Sequence, residues 1–161
     1  PNGNVYIGQW KDGKQHGYGY TMNKDNIITS GGIFNDGKLT QDLTEEYREG
    51  KVNGNCTGNC SDGFGKYKYS VGDTYWGFFK NNQRDKIGTY SWKNKSAYTG
   101  TYTLGGKRNG YDGIYTYVDR SVFKGFFKDD IIDGLGVMKY NKSGDLVQGV
   151  FNNKGVKIKD F

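Results

Sequence analysis

The chain has 161 residues and a formal net charge of +6; 34% of it is hydrophobic and 16% aromatic, with 27 glycines, 14 tyrosines, one proline, one histidine and two cysteines. This length allows one ordinary domain, but aliphatic side chains are too scarce for a conventional two-layer core, so rings must do the packing. No apolar run approaches the ~18 residues of a transmembrane helix, and two cysteines with no second pair indicate neither a disulfide framework nor a zinc site.

In chain order, Pro1-Asn2-Gly3-Asn4-Val5-Tyr6 has the form of a turn that ends one repeat and leads into the next, like Val71-Gly72-Asp73-Thr74-Tyr75. The chain (1–161) is therefore expected to be a single repeat array cut from a longer protein. Tyr6-Ile-Gly8-Gln-Trp10 opens the pattern, with a large residue at position 1, glycine at 3 and a large residue at 5. Further copies start at Ser30, Val52, Tyr75, Tyr98, Phe123 and Val147, 22 to 25 residues apart. Position 3 is glycine in every copy: Gly8, Gly32, Gly54, Gly77, Gly100, Gly125 and Gly149. Position 5 is aromatic in all but one copy, where it is Cys56, and a second glycine falls near position 14 at Gly19, Gly65, Gly88, Gly113 and Gly136. A fixed period of this size is the mark of a repeat architecture. The second half of the Ser30 copy, from Thr40 to Glu49, is polar and acidic without glycine and reads as degenerate.

Each copy reads as a β-hairpin. Positions 1 to 6 alternate with period 2 and are rich in Tyr, Phe, Trp and Thr. Polar turns such as Asp12-Gly13 and Asp36-Gly37 come next, supplying the positive φ of a tight reversal. Second strands alternate again, as in Gly65-Lys-Tyr67-Lys-Tyr69, Gly88-Thr-Tyr90-Ser-Trp92 and Gly113-Ile-Tyr115-Thr-Tyr117. Clear helix signals are absent. Placing position 5 opposite 14 puts Gly77 opposite Tyr90 and Gly88 opposite Phe79, with rings covering cross-strand glycines. Positions 1, 3, 5, 14, 16 and 18 then share an aromatic face, and the other face is mostly polar. The expected fold is all-β: an elongated single-layer antiparallel sheet of about seven consecutive β-hairpin repeats, roughly 65 Å long at ~4.8 Å per strand.

Tyr6-Ile-Gly8-Gln-Trp10-Lys-Asp-Gly13-Lys-Gln-His16-Gly17-Tyr-Gly19 resembles the MORN repeat, and so do the copies starting at Tyr75, Tyr98 and Phe123. The copies at Ser30, Val52 and Val147 match weakly, and Asn59, Asn82, Asp130 and Lys154 replace a turn glycine at position 8, which leaves the turn type there open. The resemblance implies a scaffolding module with a groove of repeated aromatics that binds partner peptides. It also implies binding to membrane phospholipid, or service as one segment of a larger protein, sometimes an enzyme.

Residue chemistry points away from catalysis. His16 reads as a turn residue with no nucleophile beside it, and Cys56 and Cys60 read as a local disulfide or two ordinary thiols. The recurring Asp12, Asp36 and Asp129 read as turn formers. The glycine-rich segments open strands, whereas a phosphate loop must open a helix. No metal site or cofactor is expected. Rings of the aromatic face can stack into the only core a single-layer array has; they can also line a groove, because one layer leaves one side of that face uncovered. The expected partner-binding groove is Tyr75, Phe79, Tyr90, Trp92, Tyr98, Tyr102, Tyr115 and Tyr117, with Tyr90 and Trp92 presenting a free face. Trp76, Phe78 and Phe126 form a second candidate patch, since they are large residues on the polar face. Lys14, Lys38, Arg84, Lys86, Lys107 and Arg108 fall at successive turns, interrupted by acidic residues. Nucleic acid is a weak match, because the basic residues are spread and no motif is present; anionic membrane is the better match because the family resemblance adds to the charge. The expected partner is a protein or peptide, and a peripheral membrane module and an accessory segment of a larger enzyme are the alternatives.

Overall fold

Two-residue turns set the spacing of the strands. Asp12-Gly13, Asp36-Gly37, Asn81-Asn82 and Asp129-Asp130 have positive φ at both residues, the hairpin geometry whose twist matches that of the flanking strands. Asn and Asp tolerate this region, so Asn82 and Asp130 keep the turn type of the glycines they replace. The computed structural model describes residues 3–160; Pro1 and Asn2 of the opening turn, and Phe161, lie outside the described residues. In order the strands are β1 (Val5–Lys11), β2 (Lys14–Met22), β3 (Ile28–Asn35), β4 (Lys38–Asp42), β5 (Val52–Asn53), β6 (Cys56–Gly58), β7 (Phe64–Lys68) and β8 (Thr74–Lys80). They continue with β9 (Gln83–Ser91), β10 (Ala97–Tyr102), β11 (Gly110–Thr116), β12 (Val122–Lys128), β13 (Ile131–Lys139), β14 (Leu146–Phe151) and β15 (Lys157–Lys159). All neighbours pair antiparallel, and the fold is all-β and built of hairpins.

The register differs by two residues from the expected one. Tyr75 faces Tyr90 and Gly77 faces Gly88, with a bulge between Gly77 and Phe79. Glycine therefore faces glycine across the sheet, from Gly58 and Gly65 through Gly77, Gly88 and Gly100, and again from Gly113 through Gly125 and Gly136 to Gly149. The reason is steric. The Tyr75 ring lies back over its own strand, so a Cβ on Gly88 would sit 2.2 Å from Tyr75 Oη and one on Gly77 would sit 2.5 Å from it. The phenol then donates to the carbonyl three residues on: Tyr75 to Phe78 at 3.1 Å, Tyr98 to Thr101 at 3.2 Å and Tyr6 to Gln9 at 3.2 Å.

The third repeat begins four residues later than its glycine spacing suggests. Gly54, with φ +58, turns the chain between β5 and β6, and Gly58 takes the place in the glycine row. Its motif is thus Cys56-Thr-Gly58-Asn-Cys60, and Cys56 and Cys60 are joined by a disulfide. In the copies at Tyr6, Tyr75, Tyr98 and Phe123, positions 1 and 5 are rings in edge contact, as in Tyr75 with Phe79 at 5.0 Å and Tyr98 with Tyr102 at 5.4 Å. The disulfide replaces that ring pair, and Cys60 Sγ lies over Gly65 much as Tyr75 lies over Gly88.

The degenerate half-repeat carries the main departure from a single row. After β4 it forms a four-residue helix, α1 (Glu45–Arg48). Asp42 Oδ1 accepts from the Thr44 amide at 2.8 Å and from its hydroxyl at 2.7 Å, and the Asp42 carboxylate pairs with Arg48. Strands β1–β4 form one sheet and β5–β15 another, both in sequential order. The larger sheet spans about 50 Å, and the smaller sheet doubles the layer at β7–β9. Their shared core buries Tyr20, Ile28, Phe64, Phe78 and Ile87, flanked by Ile7, Tyr18, Met22, Leu43, Tyr47 and Trp76. Tyr18 meets Phe78 at 5.2 Å, Tyr20 meets Phe64 at 5.3 Å, and the Tyr20 and Thr89 hydroxyls are 3.2 Å apart. In the first repeat the large residues of the second strand, Tyr18, Tyr20 and Met22, alternate out of phase with Tyr90 and Trp92. They point to the back face for that reason.

Candidate partner-binding face

The front face of the larger sheet divides its rings by strand. First-strand rings are enclosed: Tyr75, Tyr98 and Phe123 are 0% exposed, Tyr102 is 3% and Phe79 is 7%. They form a core that continues through Phe127, Ile132, Met138 and Phe151. The second-strand rings Tyr67, Tyr69, Tyr90, Trp92, Tyr115 and Tyr117 pack on this core and stay half-buried. They touch in sequence, with ring centres 5.0 Å apart from Tyr67 to Tyr69, 5.5 Å to Tyr90, 4.8 Å to Trp92, 5.6 Å to Tyr115 and 4.8 Å to Tyr117. This is an unbroken row of six rings.

Of the eight residues expected to line a groove, the structure gathers Tyr90, Trp92, Tyr115 and Tyr117 in this row. Tyr75, Phe79, Tyr98 and Tyr102 lie beneath it as its floor. Tyr67 and Tyr69 join the row without having been expected there, although Gly65-Lys-Tyr67-Lys-Tyr69 has the spacing of Gly88-Thr-Tyr90-Ser-Trp92 and could have placed them. Two arginines expected on a solvent edge instead reach over the rings. Arg84 lies 4.8 Å from the Tyr90 ring and 5.5 Å from Tyr102, and its Nη2 donates to Gly106 O at 3.0 Å. Arg108 lies between 5.6 and 5.8 Å from Trp92, Tyr98, Tyr115 and Phe127, and pairs with Asp130 at 3.2 Å. Guanidinium groups stack on ring faces more favourably than ammonium groups do.

One phenol of the row is anchored. Tyr90 Oη donates to Asp73 Oδ2 at 2.7 Å, and the Lys93 amide donates to Asp73 Oδ1 at 2.9 Å. Burial, then this carboxylate, pushes the Tyr90 phenol up to about 12. The same bonds hold the Asp73 carboxyl below its ordinary value. Cavities open at both ends of the row. One of about 970 Å³ is lined by Cys56, Cys60, Asn59, Tyr67, Tyr69 and Phe79, among others, and one of about 420 Å³ by Tyr117, Val118, Met138, Tyr140 and Gly155, among others.

The second candidate patch is not one surface. Trp76 and Phe78 are covered by the smaller sheet, whereas Phe126 lies apart under Tyr111, which stacks on it at 4.5 Å. Lys14, Lys86, Lys107 and Arg108 are ion-paired with Asp36, Asp85, Asp129 and Asp130 at 2.6 to 3.6 Å, and Lys38 is exposed. His16 lies in β2 rather than in the turn. Among the described residues no three His, Cys, Asp or Glu side chains are grouped to hold a metal ion, and no helix is long and apolar enough to cross a membrane.

Consecutive antiparallel hairpins, a glycine row and a ring-lined face define a hairpin-repeat array. The family model of the MORN repeat matches residues 6–21, 61–74, 75–97 and 123–145, and these segments are MORN repeats. Human and mouse Alsin are each 29% identical to the chain over 148 residues, covering 83% of this chain and 9% of Alsin. Rat Alsin is 31% identical over 83 residues, covering 50% of this chain and 5% of Alsin. The chain thus corresponds to only a small part of the curated relatives it matches.

Proposed function

We propose that the chain is a non-enzymatic binding or scaffolding module that holds a protein or peptide partner along the six-ring row. The observation that carries this is the division of one face into enclosed rings and half-exposed rings in unbroken contact. Core packing accounts for the first set and leaves the second with faces available to a ligand. Aromatic rings beside arginines are the side chains most enriched among residues that dominate binding energy. Similarity to a short stretch of a much longer relative supports service as one segment of a larger assembly. Pairing of Lys14, Lys86, Lys107 and Arg108 with aspartates lowers the charge that these turns offer to anionic headgroups.

The test compares wild type with Trp92→Ala and Tyr115→Ala, each checked for an intact melt, in pull-downs from a source lysate and on anionic liposomes at low salt. Proteins retained by wild type should be lost from both variants, and liposomes should retain little of any of them. Capture that ignores both substitutions would refute the row as the binding face. Strong, salt-sensitive retention on liposomes would favour the membrane reading instead.

A further inference from the structure

The half-exposed rings recur at a length that selects a ligand conformation, provided that the row is the partner-binding face proposed for it. One ring pair closes each of three second strands, its first ring in the strand and its second on the residue just past the strand's end: Tyr67 with Tyr69, Tyr90 with Trp92, and Tyr115 with Tyr117. These strands alternate with β8 and β10, so successive pairs are set ~9.6 Å apart, twice the interstrand step. A polyproline II helix rises 3.1 Å per residue with three residues per turn, and so repeats every ~9.3 Å. Across three ring pairs it drifts by less than about 1 Å. An α-helix returns to the same face after two turns at ~10.8 Å and drifts by more than about 2 Å over that span. An extended strand returns to the same face at ~6.7 or ~13 Å and does not match.

We infer that the row from Tyr67 to Tyr117 binds a proline-rich segment in the polyproline II conformation, running across the strands, with an acidic residue of the segment against Arg84. Tyr and Trp suit this ligand, because flat ring faces pack on pyrrolidine rings, while the Trp92 indole and phenols other than that of Tyr90, which is held by Asp73, can donate to its carbonyls. A polyproline II segment is already ordered before it binds, so an open surface without a deep pocket can hold it. Arg84 supplies the charge preference. It stacks on Tyr90 and Tyr102 and, among the described residues, takes part in no ion pair, whereas Arg108 is held by Asp130.

The experiment titrates the full chain into three fluorescein-labelled peptides of equal length and charge: a nine-proline peptide flanked by glutamates, an alanine-rich helical peptide and a glycine-serine peptide, read by anisotropy. The proline peptide should bind saturably and the other two at least about tenfold more weakly. Trp92→Ala, and separately Tyr117→Ala at the end of the row, should weaken it about tenfold or more while each variant stays folded at the assay temperature. Arg84→Gln should reduce the glutamate-flanked peptide to the affinity of unflanked nonaproline. Equal or tighter binding of the helical peptide would overturn the polyproline assignment and leave the partner-binding reading standing. The same holds if no peptide binds while lysate proteins are still captured in a Trp92-dependent way. If neither peptide binding nor capture responds to Trp92→Ala, the binding face itself is misassigned.

Discussion

Tyr98 and Tyr115 face each other directly across two strands of one sheet, yet the first is 0% exposed and the second half-buried. They share a side-chain type and a face, and differ in which strand of the hairpin they occupy. First-strand rings have glycine two residues ahead and across, so they can lie flat on backbone with the phenol bonded to their own strand. Second-strand rings find the glycine row already covered and must stack on top. The array thereby makes a core and a surface from one repeated pattern, and the glycines decide which ring becomes which.

High pH should have the largest effect on stability, through the enclosed phenols and through Tyr90 of the row, which shares with Tyr20 a value raised to about 12. Burial raises Tyr20 to about 12 and raises Tyr75, Tyr98 and Tyr102 well above 10. Because their folded values exceed the unfolded value of about 10, the stability they contribute is complete below pH 10 and lost as pH rises. Tyr20 alone should account for about 2 kcal/mol by pH 12, and Tyr75, Tyr98 and Tyr102 shift the balance in the same direction. Denaturant midpoints should be nearly level from pH 7 to 9.5 with respect to these groups and then fall steeply. Phenolate absorbance that appears for all tyrosines near pH 10 without unfolding would show that the enclosed set does not exist.

A smaller effect tests the cause of the division. Gly88→Val would place a Cβ within 2.2 Å of Tyr75 Oη and force the ring off its seat. The expected loss is about 3 to 5 kcal/mol, comparable to deleting a buried ring, and it should fall to about half in Gly88→Val combined with Tyr75→Leu. A Gly88→Val melt within 1 kcal/mol of wild type would mean that the row is not tightly covered.

Much of this was legible in the sequence, and the losses have physical reasons. Seven position-3 glycines announced the hairpins, and Asp-Gly announced their turns. Register was misjudged because rings were set opposite glycines, whereas Tyr75 reaches the glycines by lying along its own strand, which spacing alone does not reveal. The third repeat was misaligned because Gly54 kept the period while Gly58 kept the geometry. Taken from Cys56, both cysteines fall on ring positions, and a bond between them becomes the natural substitute. The doubled layer was written in Trp76 and Phe78 on one strand and in Tyr18, Tyr20 and Met22 on another. Each set looked anomalous alone, and only pairing the anomalies would have shown the two back faces as one core. Arg84 and Arg108 were assigned to the edge by their nearness to turns, but a long stem lets an arginine at a strand end reach back over neighbouring rings.

The smallest effect bears most on function. Tyr98→Ala and Trp92→Ala both remove a ring from the front face, and if the face were a uniform core the larger side chain would cost more. The structure orders them the other way. Tyr98 is enclosed, lies in edge contact with Tyr102 and Phe127, and satisfies the Thr101 carbonyl, so its loss should cost about 3 to 5 kcal/mol. Trp92 keeps part of its ring in water and meets Tyr90 and Tyr115 at tilted angles, contacts worth about 0.5 to 1.5 kcal/mol each. Its loss should cost about 1 to 3 kcal/mol, leaving the chain folded. The observable is the order of the two melting points in one buffer: Trp92→Ala should lie above Tyr98→Ala. The reverse order would place Trp92 in the core, where a ring that holds the sheet together has no free face to offer a partner.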